Sequence, residues 1–306
     1  MRSKRGLFAA AAAVLLFSGC AASPAARPVY RASTVLDGAI PLAEALEAAH
    51  DGGGELSGFV LSGRYRIAAR VYLPPSPRGT LLIVHGYGAS AAVLAPLARL
   101  AAEAGYAAVA IDLPGHGLSD GARGEIGDMR EYGDAVAAAA AVCRAWLPRP
   151  LLALGHSAGA LGIFDAAERS GPSGGPFDAM LLVAPLTRSA YWDLSLFGYL
   201  IVRPYVRTLS DGKGGSVSLP WFGALVSWRR EAEDYPRISM PSLVLLGGSD
   251  KVVDGNDARR LLSAKLADAR FVVLPWMGHH DIEAASPDLR LVDRILGYMD
   301  EICAAR

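Results

Sequence analysis

Cysteine is scarce in this chain: three residues in 306, at positions 20, 143 and 303. That excludes a dense disulfide framework, and no spacing around them matches a metal-ligand pair. Charge of one sign is not in excess either, because the formal net charge is +0. A global field that would recruit acidic partners is therefore missing. No basic run interleaved with aromatics occurs, which argues against nucleic-acid binding. No stretch matches the phosphate-cradling pattern G-x-x-x-x-G-K-[ST], which excludes a P-loop nucleotide site. What is present is a 52% hydrophobic composition, ample for the buried core of a single α/β domain.

The N-terminus reads as a targeting segment. Arg2, Lys4 and Arg5 form a basic start, and residues 7–17 are apolar. This run is shorter than the roughly 20 residues of a spanning helix, and suits a signal h-region. Ser18-Gly19-Cys20 then resembles a bacterial lipoprotein signal, with Phe17 where leucine is usual. Residues 1–19 are expected to be removed and Cys20 lipidated. Several acyl chains on one cysteine would hold the protein at a membrane more firmly than a single chain can. Ala21 fits an outer-membrane destination if the source is Gram-negative. Residues 20–38 read as a flexible tether, Ala/Ser/Pro-rich as far as Pro28.

From residue 39 to 306 strands and helices alternate. Residues 59–61 and 65–73 read as a hairpin around Ser62-Gly63. The runs at 80–84, 107–111, 151–154 and 179–183 are continuously apolar, as strands buried on both faces are. Residues 243–246 and 271–274 give two more strands. Helical patterns cover 39–50, 92–104, 129–147, 160–169, 258–267 and 289–302. The alternation predicts an α/β fold: a mostly parallel sheet with right-handed crossovers and helices on both faces. Cys143 and Cys303 fall on helices expected to cover opposite faces, so both are expected as buried free thiols. Between about 186 and 238 the alternation stops for longer than a simple connection allows. This segment holds Trp192, Phe197, Tyr199, Trp221, Phe222 and Trp228, with a glycine-rich hinge-like stretch at 210–216. It reads as an inserted cap, apolar enough to favour an apolar substrate.

The chemistry centres on Gly155-His156-Ser157-Ala158-Gly159. A serine between glycines, joining a buried strand to a helix, is the pattern of a nucleophile elbow. Its turn pushes the serine toward positive φ, and the glycines remove side chains that would collide there. A serine hydroxyl needs a base, and the base needs an orienting carboxylate. Strand–turn–helix scaffolds of this kind order them serine, acid, histidine along the chain. Asp250 follows the strand at 243–246, and His279 follows the strand at 271–274. Both thus belong to the C-terminal edge of the sheet, where open α/β folds bind ligands. Of six histidines only His279 and His280 come after Ser157. His280 remains an alternative base and Asp254 an alternative acid, with Asp281 too close in sequence to His280 to be the preferred orienting group.

A tetrahedral oxyanion needs two backbone N–H donors. By position these are Ala158 and, in the loop His85-Gly86-Tyr87-Gly88, Tyr87. His85 and His116 are read as loop braces. Residues 86–91 also fit G-x-G-x-x-A, with Asp112 near the place of a ribose-binding acid. His85 before the glycines and an exported location weigh against a dinucleotide site.

Taken together, His85 to Gly88, Asp112 to Gly121 with Arg123-Gly124, Gly155 to Gly159, Gly248-Ser249-Asp250 and Gly278-His279 resemble the α/β-hydrolase superfamily. Within it the chain is most similar to the monoacylglycerol lipases, lysophospholipases and serine aminopeptidase-like proteins, from about residue 59 onward. The resemblance implies a Ser157–Asp250–His279 triad, oxyanion donors at Tyr87 and Ala158, no metal and no cofactor. It implies hydrolysis of a small-molecule or lipid carboxylic ester through an acyl-enzyme. A peptidase or amidase on the same triad, and a non-catalytic binding lipoprotein, are the alternatives. Dehalogenases differ in placing aspartate at the position of Ser157. Two departures stand out: Ala158 and Ala160 are unusual residues after the elbow serine, and His279 is followed by His280-Asp281-Ile282-Glu283.

Overall fold

The computed structural model describes residues 36–49, 54–171, 175–210 and 216–305. The signal segment, Cys20, residues 20–35 of the tether and the glycine-rich stretch at 211–215 lie outside the described residues.

The framework is one eight-stranded sheet. A hairpin of β1 (Gly54–Ser62) and β2 (Tyr65–Leu73) leads in. Four short strands follow: β3 (Thr80–Val84), β4 (Ala107–Ile111), β5 (Leu151–His156) and β6 (Ala179–Val183). Every residue of these four is buried, which is why their sequences are apolar without alternation. After an interruption come β9 (Ser242–Gly247) and β10 (Ala269–Leu274). The order across the sheet is β1-β2-β4-β3-β5-β6-β9-β10. All pairs from β4 to β10 are parallel, while β2 runs antiparallel to β1 and β4. The register aligns the C-terminal ends: Val84 lies beside Ile111 and Gly155, His156 beside Val183, and Gly247 beside Leu274. The loops after β3, β5, β9 and β10 therefore emerge on one edge of the sheet.

Helices cover both faces. On one lie α1 (Leu42–Ala48), α3 (Arg130–Trp146), α4 (Ala158–Arg169) and α7 (Gly255–Lys265). On the other lie α2 (Ala95–Glu103) and α8 (Leu289–Ala304). In α8 the buried residues Leu291, Val292, Ile295, Tyr298 and Met299 make the stripe expected of a helix docked by one face. Cys143 and Cys303 do face opposite layers, and both are free. The expectation of two buried thiols needs correcting at Cys303. It sits in the last turn of α8 and is only half-buried.

Between β6 and β9 the chain forms α5 (Trp192–Val202), a small ribbon of β7 (Thr208–Ser210) and β8 (Ser216–Ser218), and α6 (Leu219–Glu231). The two helices differ sharply. α6 buries Trp221, Phe222, Leu225 and Trp228, and its N-terminus is capped by the Ser218 side chain. Arg229 of α6 makes a two-pronged contact with Asp257 of α7, at 2.9 and 3.2 Å, and Thr187 donates to the same carboxylate at 2.8 Å. By contrast, no residue of α5 is fully buried. It leans on α6 through Trp192 and Tyr199, whose rings lie 5.6 and 5.3 Å from that of Phe222.

Candidate active site

Ser157 occupies the turn between β5 and α4 at φ 52° and ψ −115°. Such a backbone costs a non-glycine residue about 1–3 kcal/mol and persists only where its surroundings impose it. Here they do. The Ser157 N–H donates to Val183 O at 3.0 Å, and its own carbonyl accepts from Ala160 and Leu186. A Cβ on Gly155 would meet the Ala160 backbone at 2.6 Å, and one on Gly159 would meet Val84 O at 2.4 Å. Only glycine allows α4 to come this close to the ends of β3 and β5. Ala158 and Ala160 are both buried next to the same turn.

Three loops meet at this serine. His279 Nε2 lies 3.1 Å from Ser157 Oγ, and His279 Nδ1 lies 2.8 Å from Asp250 Oδ2. An ionised carboxylate only accepts, so Nδ1 carries the proton and Nε2 is free to accept from the serine hydroxyl. The other carboxylate oxygen, Oδ1, takes the N–H groups of Val252 and Val253 at 2.8 and 3.1 Å. Burial by itself would raise the Asp250 pKa; the hydrogen bonds from His279, Val252 and Val253 outweigh it and hold the carboxyl below its ordinary value. Burial lowers the pKa of His279, the Asp250 hydrogen bond partly opposes this, and the nearby imidazoles of His156 and His280 add to the lowering. A base that stays neutral and a carboxylate that stays charged are what proton transfer from serine requires.

The alternatives separate geometrically. His280 is 71% exposed at its side chain and bonds to Glu283, not to Ser157. Asp254 caps α7, accepting from Asn256 and Asp257 N–H. Asp281 accepts from Gly278 N–H at 2.9 Å, bracing the turn that presents His279.

The loop after β3 lies directly over the serine. A Cβ on Gly86 would sit 3.1 Å from Ser157 Cβ. Among the described residues no hydrogen bond uses the N–H of Tyr87 or of Ala158. The Tyr87 side chain reaches away: its hydroxyl donates to Gly124 O at 3.2 Å and accepts from Ser218 N–H at 2.9 Å. Its ring lies 4.0 Å from that of Trp221. One residue thus joins the loop over Ser157 to the start of α6. His85 accepts from Leu113 N–H through Nε2, and His116 bonds Pro114 O. Burial pushes their pKa values down to about 4 and about 3, so both are neutral struts. Asp112, far from acting on a ribose, is buried and accepts from Ala91 and Leu118 N–H.

Sequence reasoning missed the layer beneath His279. His156 Nε2 lies 2.8 Å from His279 O, and Glu283 contacts both His156 and His280. Its only trace in the sequence is the unusual His280 to Glu283 stretch. Arg229–Asp257 and the reach of Tyr87 left no trace, because their partners are distant along the chain.

Comparison with known proteins agrees with this framework. The family model for serine aminopeptidase, S33, matches residues 75–211. A crystal structure of Paleococcus ferrophilus monoacylglycerol lipase superposes with a TM-score of 0.63 at 19% identity, over 79% of this chain and 100% of that one. The chain has the α/β-hydrolase fold. A monoacylglycerol lipase of Mycolicibacterium smegmatis is 35% identical over 127 residues, 40% of this chain and 44% of that protein. An uncharacterized protein of Mycobacterium tuberculosis is 37% identical over 75 residues, 22% of this chain and 26% of that protein. The chain therefore spans less than half the length of these curated relatives.

Proposed function

We propose that the protein is a serine hydrolase that cleaves carboxylic esters, with acyl esters such as monoacylglycerol or lysophospholipid as the substrate class. The observation that carries the reading is the continuous relay Asp250–His279–Ser157, at 2.8 and 3.1 Å, ending on a serine held at positive φ. Ser157 Oγ attacks the acyl carbonyl while His279 Nε2 takes its proton. The carbonyl oxygen becomes an oxyanion, stabilised by the N–H groups of Ala158 and Tyr87. His279 then returns the proton to the departing alcohol oxygen as the ester bond breaks. Water, activated by the same imidazole, releases the carboxylic acid and restores Ser157. Asp250 stabilises the imidazolium in both halves. The apolar character of α6 and of Trp192 and Tyr199 of α5, tied to the loop over Ser157 through Tyr87, supports an acyl chain rather than a charged peptide.

The test is a panel of acyl esters of graded chain length with matched amides. The account expects ester turnover with a burst of alcohol release, and little amide turnover. Faster amide than ester cleavage would move the protein to the peptidase reading, toward which the matched serine aminopeptidase family points. We also propose that the mature chain is exported and anchored to the cell envelope through lipidated Cys20. Among the described residues no helix is long and apolar enough to cross a membrane. Mass spectrometry of the mature N-terminus decides the matter: a diacylglyceryl-modified cysteine is expected, and an unmodified Cys20 ends the proposal.

A further inference from the structure

The group of side chains beneath His279 is not used by the relay itself. His156 is the residue before the candidate nucleophile, and its side chain is 1% exposed. Its Nε2 lies 2.8 Å from the main-chain oxygen of His279. A carbonyl only accepts, so Nε2 carries a proton. Its Nδ1 lies 3.0 Å from Glu283 Oε1, and the other oxygen, Oε2, lies 2.8 Å from His280 Nδ1. The Nδ1 contact is close but off the hydrogen-bond axis, so charge more than direction governs it. With a proton on Nε2 alone, an unprotonated ring nitrogen would lie 3.0 Å from a carboxylate oxygen in a site largely closed to water. A second proton on Nδ1 removes the repulsion between them and replaces it with an ion pair.

We infer that His156 and Glu283 form a buried imidazolium–carboxylate pair, His156 being protonated on both ring nitrogens, and that this pair tunes His279 as the base. The kinetic half of the inference rests on the proposed role of His279; the protonation half does not. Burial alone would raise the Glu283 pKa, but its close contacts with the His156 and His280 imidazoles outweigh it and bring it down to about 2. Glu283 therefore stays ionised over the working pH range. The His156 ring lies 4.8 Å from the His279 ring, inside the protein, where little water screens it. A fixed positive charge there disfavours a second one on His279, and so keeps the base neutral to lower pH.

The other groups facing His279 set the balance. Asp250 on its Nδ1 opposes the effect. His280, 4.9 Å away edge-on, is largely in solvent and weakly felt. His85, across Gly86, is neutral above a pKa of about 4. Asp281 is held on the Gly278 N–H. Of these, only His156 is a buried imidazole packed against the base, its ring tilted by 48° at 4.8 Å. Its bond to His279 O also ties the strand end carrying Ser157 to the turn carrying the base, so the same residue positions and tunes.

The experiment has two arms on the full chain. In the first, ring-nitrogen NMR at neutral pH is expected to show both nitrogens of His156 protonated, and only one in Glu283→Gln. In the second, the rate at which a fluorophosphonate labels Ser157 is followed against pH. Glu283→Gln should move the acid limb upward, so that labelling on that limb falls about three- to tenfold while the plateau changes little. His156→Gln keeps a donor to His279 O but not the charge, and should shift the limb the same way. His280→Gln, which removes a largely solvated imidazole, should move it less than either. A singly protonated His156 in the unaltered protein, or an unmoved acid limb in both folded variants, overturns the inference. Absence of labelling in the unaltered protein would instead sink the proposed function, and the NMR arm would still decide the protonation state.

Discussion

The triad floor of the candidate site and the inserted segment of α5 and α6, which we propose as its roof, are built differently. The floor is over-determined: Ser157, Asp250 and His279 leave one sheet edge on loops fixed by backbone hydrogen bonds and by glycines that accept no Cβ. The roof is graded. Its inner helix, α6, is packed and ion-paired to α7, while its outer helix, α5, exposes Leu194, Phe197, Leu200 and Ile201. The floor must hold atoms to within tenths of an ångström, because proton transfer depends on it. The outer roof carries no such demand.

Substitutions can break or sharpen this contrast. Ser157→Ala removes the attacking oxygen and should lower ester kcat by about 10⁴–10⁶-fold with the fold intact. Asp250→Asn leaves the shape but favours the wrong His279 tautomer, and a loss near 10⁴-fold is expected. Both are read by steady-state kinetics with a circular dichroism check. Arg229→Met should act on stability instead, because it strips Asp257 of its best-buried cationic partner. The cost should be on the order of 2–3 kcal/mol in urea unfolding. It stays below that of a fully isolated buried charge because Arg188, Arg260 and Thr187 remain at the same carboxylate.

The pH profile is a subtler probe. His279 is active when neutral and its pKa is lowered, so kcat/KM should hold until the pH falls below the ordinary imidazole value of about 6.5. An acid limb above that value would mean that burial and the neighbouring imidazoles do not govern the base. The smallest effect on stability belongs to the outer roof. Leu194→Ser with Phe197→Ser should change unfolding free energy by no more than about 0.5 kcal/mol per site, yet lower activity on long acyl esters relative to short ones. A large stability loss, or an unchanged chain-length preference, would erase the distinction between floor and roof.

Much of the floor was legible in the sequence because its signals are local. The strands β3 to β6 are buried on both faces, so their residues are uniformly apolar. The elbow shows itself because close packing forces glycine at 155 and 159. Edges were less legible. β1 begins at Gly54, five residues before the apolar run, because pairing with β2 rather than burial defines its exposed first half. The helix expected from residue 92 starts at Ala95, because the preceding turn is held by Asp112 through the Ala91 N–H. Side-chain pairs between distant segments left no pattern at all. Glu283 meets His156 and Tyr87 meets Ser218 only after folding. The roof showed as apolar, but not which helix would be anchored.

The central claim is that His279 activates Ser157 as a nucleophile. The most direct measurement is intact-protein and peptide mass spectrometry after reaction with a fluorophosphonate. The account predicts one adduct, on the peptide carrying Ser157, formed slowly in His279→Ala and not at all in Ser157→Ala. An adduct elsewhere, or equal labelling of the Ser157→Ala protein, would contradict it.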